Sequence, residues 1–90
     1  MDEQQKNIEP ATAALESIKQ RAMEAFMPTI DSIQEGPERK FSLLMTAVQT
    51  SHSAEILDRA LTVAEQIPDA GSKADALIDV LNEANYQLQH

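Results

Sequence analysis

The stretch "SAEILDRALTVAEQIPDAGSKADALIDVLNEAN", from Ser53 to Asn85, decides the fold. Its first part puts Ile56, Leu57, Ala60, Leu61, Val63, Ala64 and Ile67 on one broad face, the cleanest amphipathic pattern in the chain. Ser53, just before that run, is a good N-cap. Glu55 and Arg59 stand one helical turn apart in the favourable order. Pro68 ends the helix or caps its last turn, and Gly71 supplies a flexible turn. Ser72 followed by Asp75 resembles a capping box with Asp in place of Glu. Ala74, Leu77, Ile78, Leu81, Ala84 and Leu88 then form a second apolar stripe, which the pattern assigns to the core. Two amphipathic helices with a short turn between them make a helical hairpin.

The same grammar extends towards the N-terminus. In "EGPERK", Glu35 to Lys40, Gly36 suits a helix C-cap and Pro37 the first position of the next helix. Phe41, Leu44 and Val48, flanked by Leu43, Met45 and Ala47, predict a short helix to about Gln49, which "TSHS" then breaks. Further back, Ile8, Ala11, Leu15, Ile18, Ala22 and Ala25 with Phe26 recur at helical spacing. Pro10 falls near the first turn, where its missing N–H does no harm. Pro28 cannot donate inside a helix, so this first long helix is expected to kink or break there and resume to about Gln34. Residues 1–7 lack an apolar anchor and read as a disordered tail. The expected fold is all-α: a single domain over residues 8–90, a small antiparallel bundle of four to five helices built as helical hairpins.

Composition agrees with that class. Apolar residues make up 42% of the 90-residue chain but aromatics only 3%, so the core is built from Leu, Ile, Val, Ala and Met. Strands favour the aromatic and β-branched residues that are thin here. A chain this short buries a small core, and partner burial or dimerisation would add to it. There is no cysteine, which removes disulfides, thiolate metal sites and cysteine nucleophiles. No apolar run reaches the length of a membrane span, and the N-terminus has no apolar signal region. A soluble, cytoplasmic protein is expected.

Placing Ile33–Ser51 above Ile67–Asn85 aligns Leu43 with Leu77 at an offset of 34 residues, the period of tetratricopeptide hairpins. Phe41 then faces Asp75 and Met45 faces Asp79, and the bulky aromatic and glycine positions of that signature are missing. Shared turn rules account for the likeness, and no family assignment follows.

No catalytic, cofactor or metal motif is present: no phosphate-binding glycine loop, no HExxH and no EF-hand loop. His52 stands between two serines, but the local pattern offers no carboxylate to orient its ring and no oxyanion-hole motif. Enzymatic activity, cofactors and bound metals are therefore not expected. The net charge of −8 disfavours direct nucleic-acid binding. Asp31, Glu35 and Glu38 form an acidic cluster that Arg39 and Lys40 can neutralise.

Two surfaces stand out. Asp75, Asp79 and Glu83 succeed one another at i,i+4 on the last helix, a spacing at which like charges repel. Tyr86, the only tyrosine, lies beside them as a candidate interface anchor. On the first helix, Met23 and Met27, with Phe26 beside them, form an adaptable apolar group, and Met23, Met27 and Ile30 lie on a different side from Leu15 and Ile18. A helix apolar on two sides is central in a bundle or meets another chain, so a homodimer or a bound partner helix is expected. The leading expectation is a non-enzymatic protein–protein interaction module, a small adaptor, regulator or assembly subunit. The alternative is an acidic inhibitor that mimics nucleic acid and blocks a basic groove, with a basic protein as partner.

Overall fold

A computed structural model describes the backbone of residues 2–89 and the side chains of residues 11–89. The described residues form four α-helices and no strand: α1 (Asp2–Ser32), α2 (Pro37–Ser51), α3 (Ala54–Glu65) and α4 (Ala70–Gln89). The chain divides into two compact units, residues 1–32 and residues 33–90. The tail expected over residues 1–7 lies outside the residues described with side chains.

The first unit is α1. The helix continues through Pro28, where one backbone N–H is missing, and ends at Ser32, two residues short of the expected Gln34. Thr29 Oγ1 donates to the Ala25 carbonyl at 2.8 Å, and Ser32 Oγ donates to the Thr29 carbonyl at 2.8 Å. Hydroxyls that bond back one turn supply local hydrogen bonds beside the proline, which lacks its own N–H. Residues 11–22 are exposed throughout, Leu15 and Ile18 included. Met23, Phe26 and Met27 are half-buried, and Ile30 is buried.

In the second unit α3 packs against both α2 and α4, and α2 also touches α4. The core is Phe41, Leu44, Met45, Ala47 and Val48 from α2, Ile56, Leu57, Ala60 and Ala64 from α3, Ile67 from the α3–α4 connection, and Ala76 and Val80 from α4. No polar side chain among the described residues is buried. The core is thus aliphatic and alanine-rich, with Phe41 as its one aromatic.

The connections follow capping chemistry, with three corrections to the sequence reading. Gly36 is the N-cap of α2 in an extended conformation (φ −61°, ψ 162°), not a left-handed C-cap of α1, which ends four residues earlier. Ser53 caps α3 as expected, its Oγ accepting from the Ile56 N–H at 3.2 Å. Before α4 the cap is Asp69 rather than Ser72: the Ser72 N–H donates to Asp69 Oδ2 at 2.9 Å, and the Lys73 N–H donates to the Asp69 carbonyl at 2.8 Å. Ser72 and Gly71 therefore lie within the first turn of α4, and Gly71 needs no special backbone conformation. A carboxylate three residues earlier captured the free amide before the serine could act as a cap.

The third correction concerns the buried side of α4. Ile78, Leu81 and Leu88, expected in the core, are 52%, 68% and 86% exposed. The buried residues are Ala76 and Val80, flanked by half-buried Leu77, Ala84 and Gln87. Small side chains line the buried faces of both α3 (Ala60, Ala64) and α4 (Ala76, Val80). Small residues let two helix axes approach closely, and that approach competes with burial of the larger stripe.

Candidate functional site

The acidic ladder of α4 is divided between two sets of neighbours in the fold. Its N-terminal part joins a shallow groove of about 220 Å³ between the start of α2 and the first half of α4. Phe41, Ile67 and Ala76 supply apolar lining, Ser42 and Ser72 contribute hydroxyl-bearing residues, and Glu38, Asp75 and Asp79 bring carboxylates. None of these three carboxylates has a hydrogen-bond or ion-pair partner among the described residues. Arg39 and Lys40 were expected to neutralise Asp31, Glu35 and Glu38; Arg39 Nε lies 3.8 Å from Glu35 Oε2, both side chains being exposed, and neither basic residue pairs with Glu38. An acidic rim over apolar lining suits the aliphatic stem and charged head of a lysine or arginine.

Glu83, the C-terminal member of the ladder, belongs to a separate corner. Its side chain is only 12% exposed and accepts from Gln87 Nε2 at 3.1 Å. Its Oε2 lies 3.8 Å from His52 Nδ1, beyond hydrogen-bond length but within reach of an ion pair when the imidazole carries a proton. The His52 ring also meets the Tyr86 ring, with centroids 5.9 Å apart and planes tilted by 32°. Tyr86 itself remains 47% exposed.

This corner exists because of how α2 ends. His52 is the only non-glycine residue at positive φ among the described residues (φ 54°, ψ 33°), and its N–H closes α2 by donating to the Val48 carbonyl at 2.6 Å. A left-handed residue after the last helical turn reverses the chain; glycine fills it most often, and histidine is among the side chains that tolerate it. The turn places the imidazole against the C-terminal half of α4. Sequence reading did not pair His52 with Glu83 or Tyr86, because neither helical period nor local spacing links a loop residue to a distant helix. The break at "TSHS" was the one available signal.

The serines beside His52 are occupied. Ser51 Oγ donates to the Ala47 carbonyl at 2.8 Å and accepts from the Ser53 N–H at 3.3 Å, while Ser53 Oγ caps α3. A nucleophile needs a hydroxyl hydrogen-bonded to its base, and these hydroxyls serve the helix ends instead. No group of three or more His, Asp or Glu side chains gathers at metal-binding geometry among the described residues. No described helix is long and apolar enough to cross a membrane.

The second candidate group divides by exposure. Met23, Phe26 and Met27 are half-buried and Ile30 is buried, so the more open apolar side of α1 is that of Leu15 and Ile18, at 65% and 56% exposure. On α4 the open apolar residues are Ile78, Leu81 and Leu88. Exposed apolar stripes therefore run along both helices, beside the residues that the sequence put forward. No family model matches the chain, and neither a curated protein nor a solved structure matches it.

Proposed function

We propose that this chain is a non-enzymatic protein-interaction module, a small adaptor, regulator or assembly subunit that binds a partner or itself through helix faces. The observation that carries this reading is the exposure of large apolar side chains in regular helical rows, Leu15 and Ile18 on α1 and Ile78, Leu81 and Leu88 on α4. Contiguous apolar surface of this kind on a small protein marks a contact site. Tyr86 and the half-buried Met23, Phe26 and Met27 lie on the same two helices and supply anchors of the kind interfaces favour. In this reading the short connections make neighbouring helices antiparallel, Pro28 kinks α1, and the module works in the cytoplasm as a homodimer or with a basic partner. Light scattering combined with pull-down tests it. Phe26→Ala and Tyr86→Ala should weaken association. A monomer that captures nothing, and whose variants behave as wild type, would remove the proposal.

A second reading is supported by the unpartnered carboxylates at the α2–α4 groove. In it the chain is an acidic inhibitor that occupies a nucleic-acid-binding groove of a basic protein. Its binding weakens steeply as salt is added and competes with DNA or RNA. Full inhibition after Asp75→Asn and Asp79→Asn, or association indifferent to salt, would exclude it.

A further inference from the structure

The exposed apolar residues of α1 and α4 follow one rule. On α1 they are Ala11, Leu15, Ile18, Ala22 and Ala25; on α4 they are Ala74, Ile78, Leu81, Asn85 and Leu88, with Asn85 the single polar member. In both helices the steps alternate between three and four residues, which is the seam of a coiled coil. Every one of these positions is exposed in the single chain. A seam of this period is straight enough to follow a second helix over several turns, and a helix of this length draws most of its stability from such packing.

The two seams fit each other in one orientation. With the helices antiparallel, Leu15 opposite Leu81 and Ile18 opposite Ile78, the following layers set Ala22 against Ala74 and Ala25 against Gly71. Large meets large in the middle of the seam, small meets small towards the start of α4, and Ala11 stands opposite Asn85 at the other end. The flanking position beside Ile18 is Lys19, and the flanking position beside Ala74 is Asp75; in this register they stand opposite each other, with Asp79 one turn away. Sliding the pair by one heptad sets Lys19 opposite Asn82 or Pro68, and reversing α1 to parallel sets it opposite Leu77. Charge therefore selects both direction and register, as flanking charges do in coiled coils. On the other flank Arg21 meets Leu77 and Ala14 meets Ala84, so no like charges oppose the pairing at the flanks.

Building on the interaction-module reading, we propose that the occupant of the α4 seam is α1 of a second copy of this chain. Each copy offers both halves of the match, and the proposal commits to the closed arrangement, in which two copies satisfy one another twice about a two-fold axis. Asp75 takes its partner from Lys19 of the other copy.

The chain has no cysteine, so introduced cysteines report contacts cleanly. Two full-length copies of different mass, one carrying Ile18→Cys and the other Ile78→Cys, are mixed under mild oxidation. The expected product is a mixed disulfide between them, with a dimer seen in sedimentation. Lys19→Glu and Asp75→Lys should each weaken the dimer about tenfold, since each change acts twice, and together they should restore it. All these positions are exposed, so the variants keep their fold, which circular dichroism verifies. A monomer, a disulfide that forms only within a doubly substituted chain, or a dimer indifferent to the charge exchange would overturn the proposal. A monomer that still binds a purified basic protein would overturn this inference and leave the broader interaction reading standing; a monomer that binds nothing would remove both.

Discussion

Helices α3 and α4 are both amphipathic, yet they meet different fates. The shorter α3 buries Ile56, Leu57, Ala60 and Ala64, whereas the longer α4 buries only Ala76 and Val80 and keeps Ile78, Leu81 and Leu88 in water. Neighbours add to the effect of the small inward residues: α3 has extensive contact with both other helices of its unit, while α4 packs mainly against α3. An apolar stripe is a demand for a partner, and only the fold decides whether the demand is met within one chain.

The contrast can be broken most directly by truncation. Leu57→Ala, at a position 7% exposed, should cost about 3 kcal/mol in urea unfolding through lost transfer energy and a cavity. Leu81→Ala, measured where the protein is monomeric, should change stability by less than about 0.5 kcal/mol. Equal losses would mean that the α4 stripe is buried within the chain. Enlargement runs the test the other way. Ala64→Leu, at a fully buried position, should cost about 2 kcal/mol by overpacking the core around α3, while Ala74→Leu on the open side of α4 is tolerated.

The helix starts give a smaller and sharper contrast. Ser53→Ala should lower stability by about 1 kcal/mol, because it removes the oxygen that accepts from the Ile56 N–H. Ser72→Ala should leave the start of α4 intact, since Asp69 is the cap there. The two caps also differ in charge. The Ser72 N–H, with smaller contributions from the Ser72 hydroxyl and the Gly71 N–H, lowers the Asp69 pKa below its usual 3.8. A carboxylate with a depressed folded-state pKa adds stability above its unfolded value and loses it as pH falls through the folded one. The start of α4 should therefore loosen on acidification below about pH 4, and that of α3 should not. Amide exchange at Ser72 and Ile56 along a pH series reads both; Asp69→Asn should flatten the Ser72 profile.

Much of this was legible in the sequence. Pro37 at the first turn of α2, Ser53 before α3 and the Pro68 stop each act within a few residues, so local chemistry suffices to place them. The buried stripes of α2 and α3 were readable because each of those helices has a single dominant apolar face. The last helix was misread because alanines and one valine compete with leucine and isoleucine for the inward side, and periodicity cannot weigh close helix approach against bulk. The acidic ladder was visible as spacing, but its division was not: Asp75 and Asp79 fall to the groove with Glu38, and Glu83 to His52 and Gln87.

The sequence by itself determined the helical class, the approximate helix limits, the aliphatic core of α2 and α3 and the acidic balance, because these depend on residue type and on spacing within one or two turns. Tertiary structure alone decided which side of α4 faces inward, which carboxylates share a groove, and that His52, turned left-handed at the end of α2, meets Glu83 and Tyr86. Those outcomes depend on which helices become neighbours, and no single helix encodes its neighbour in its own period.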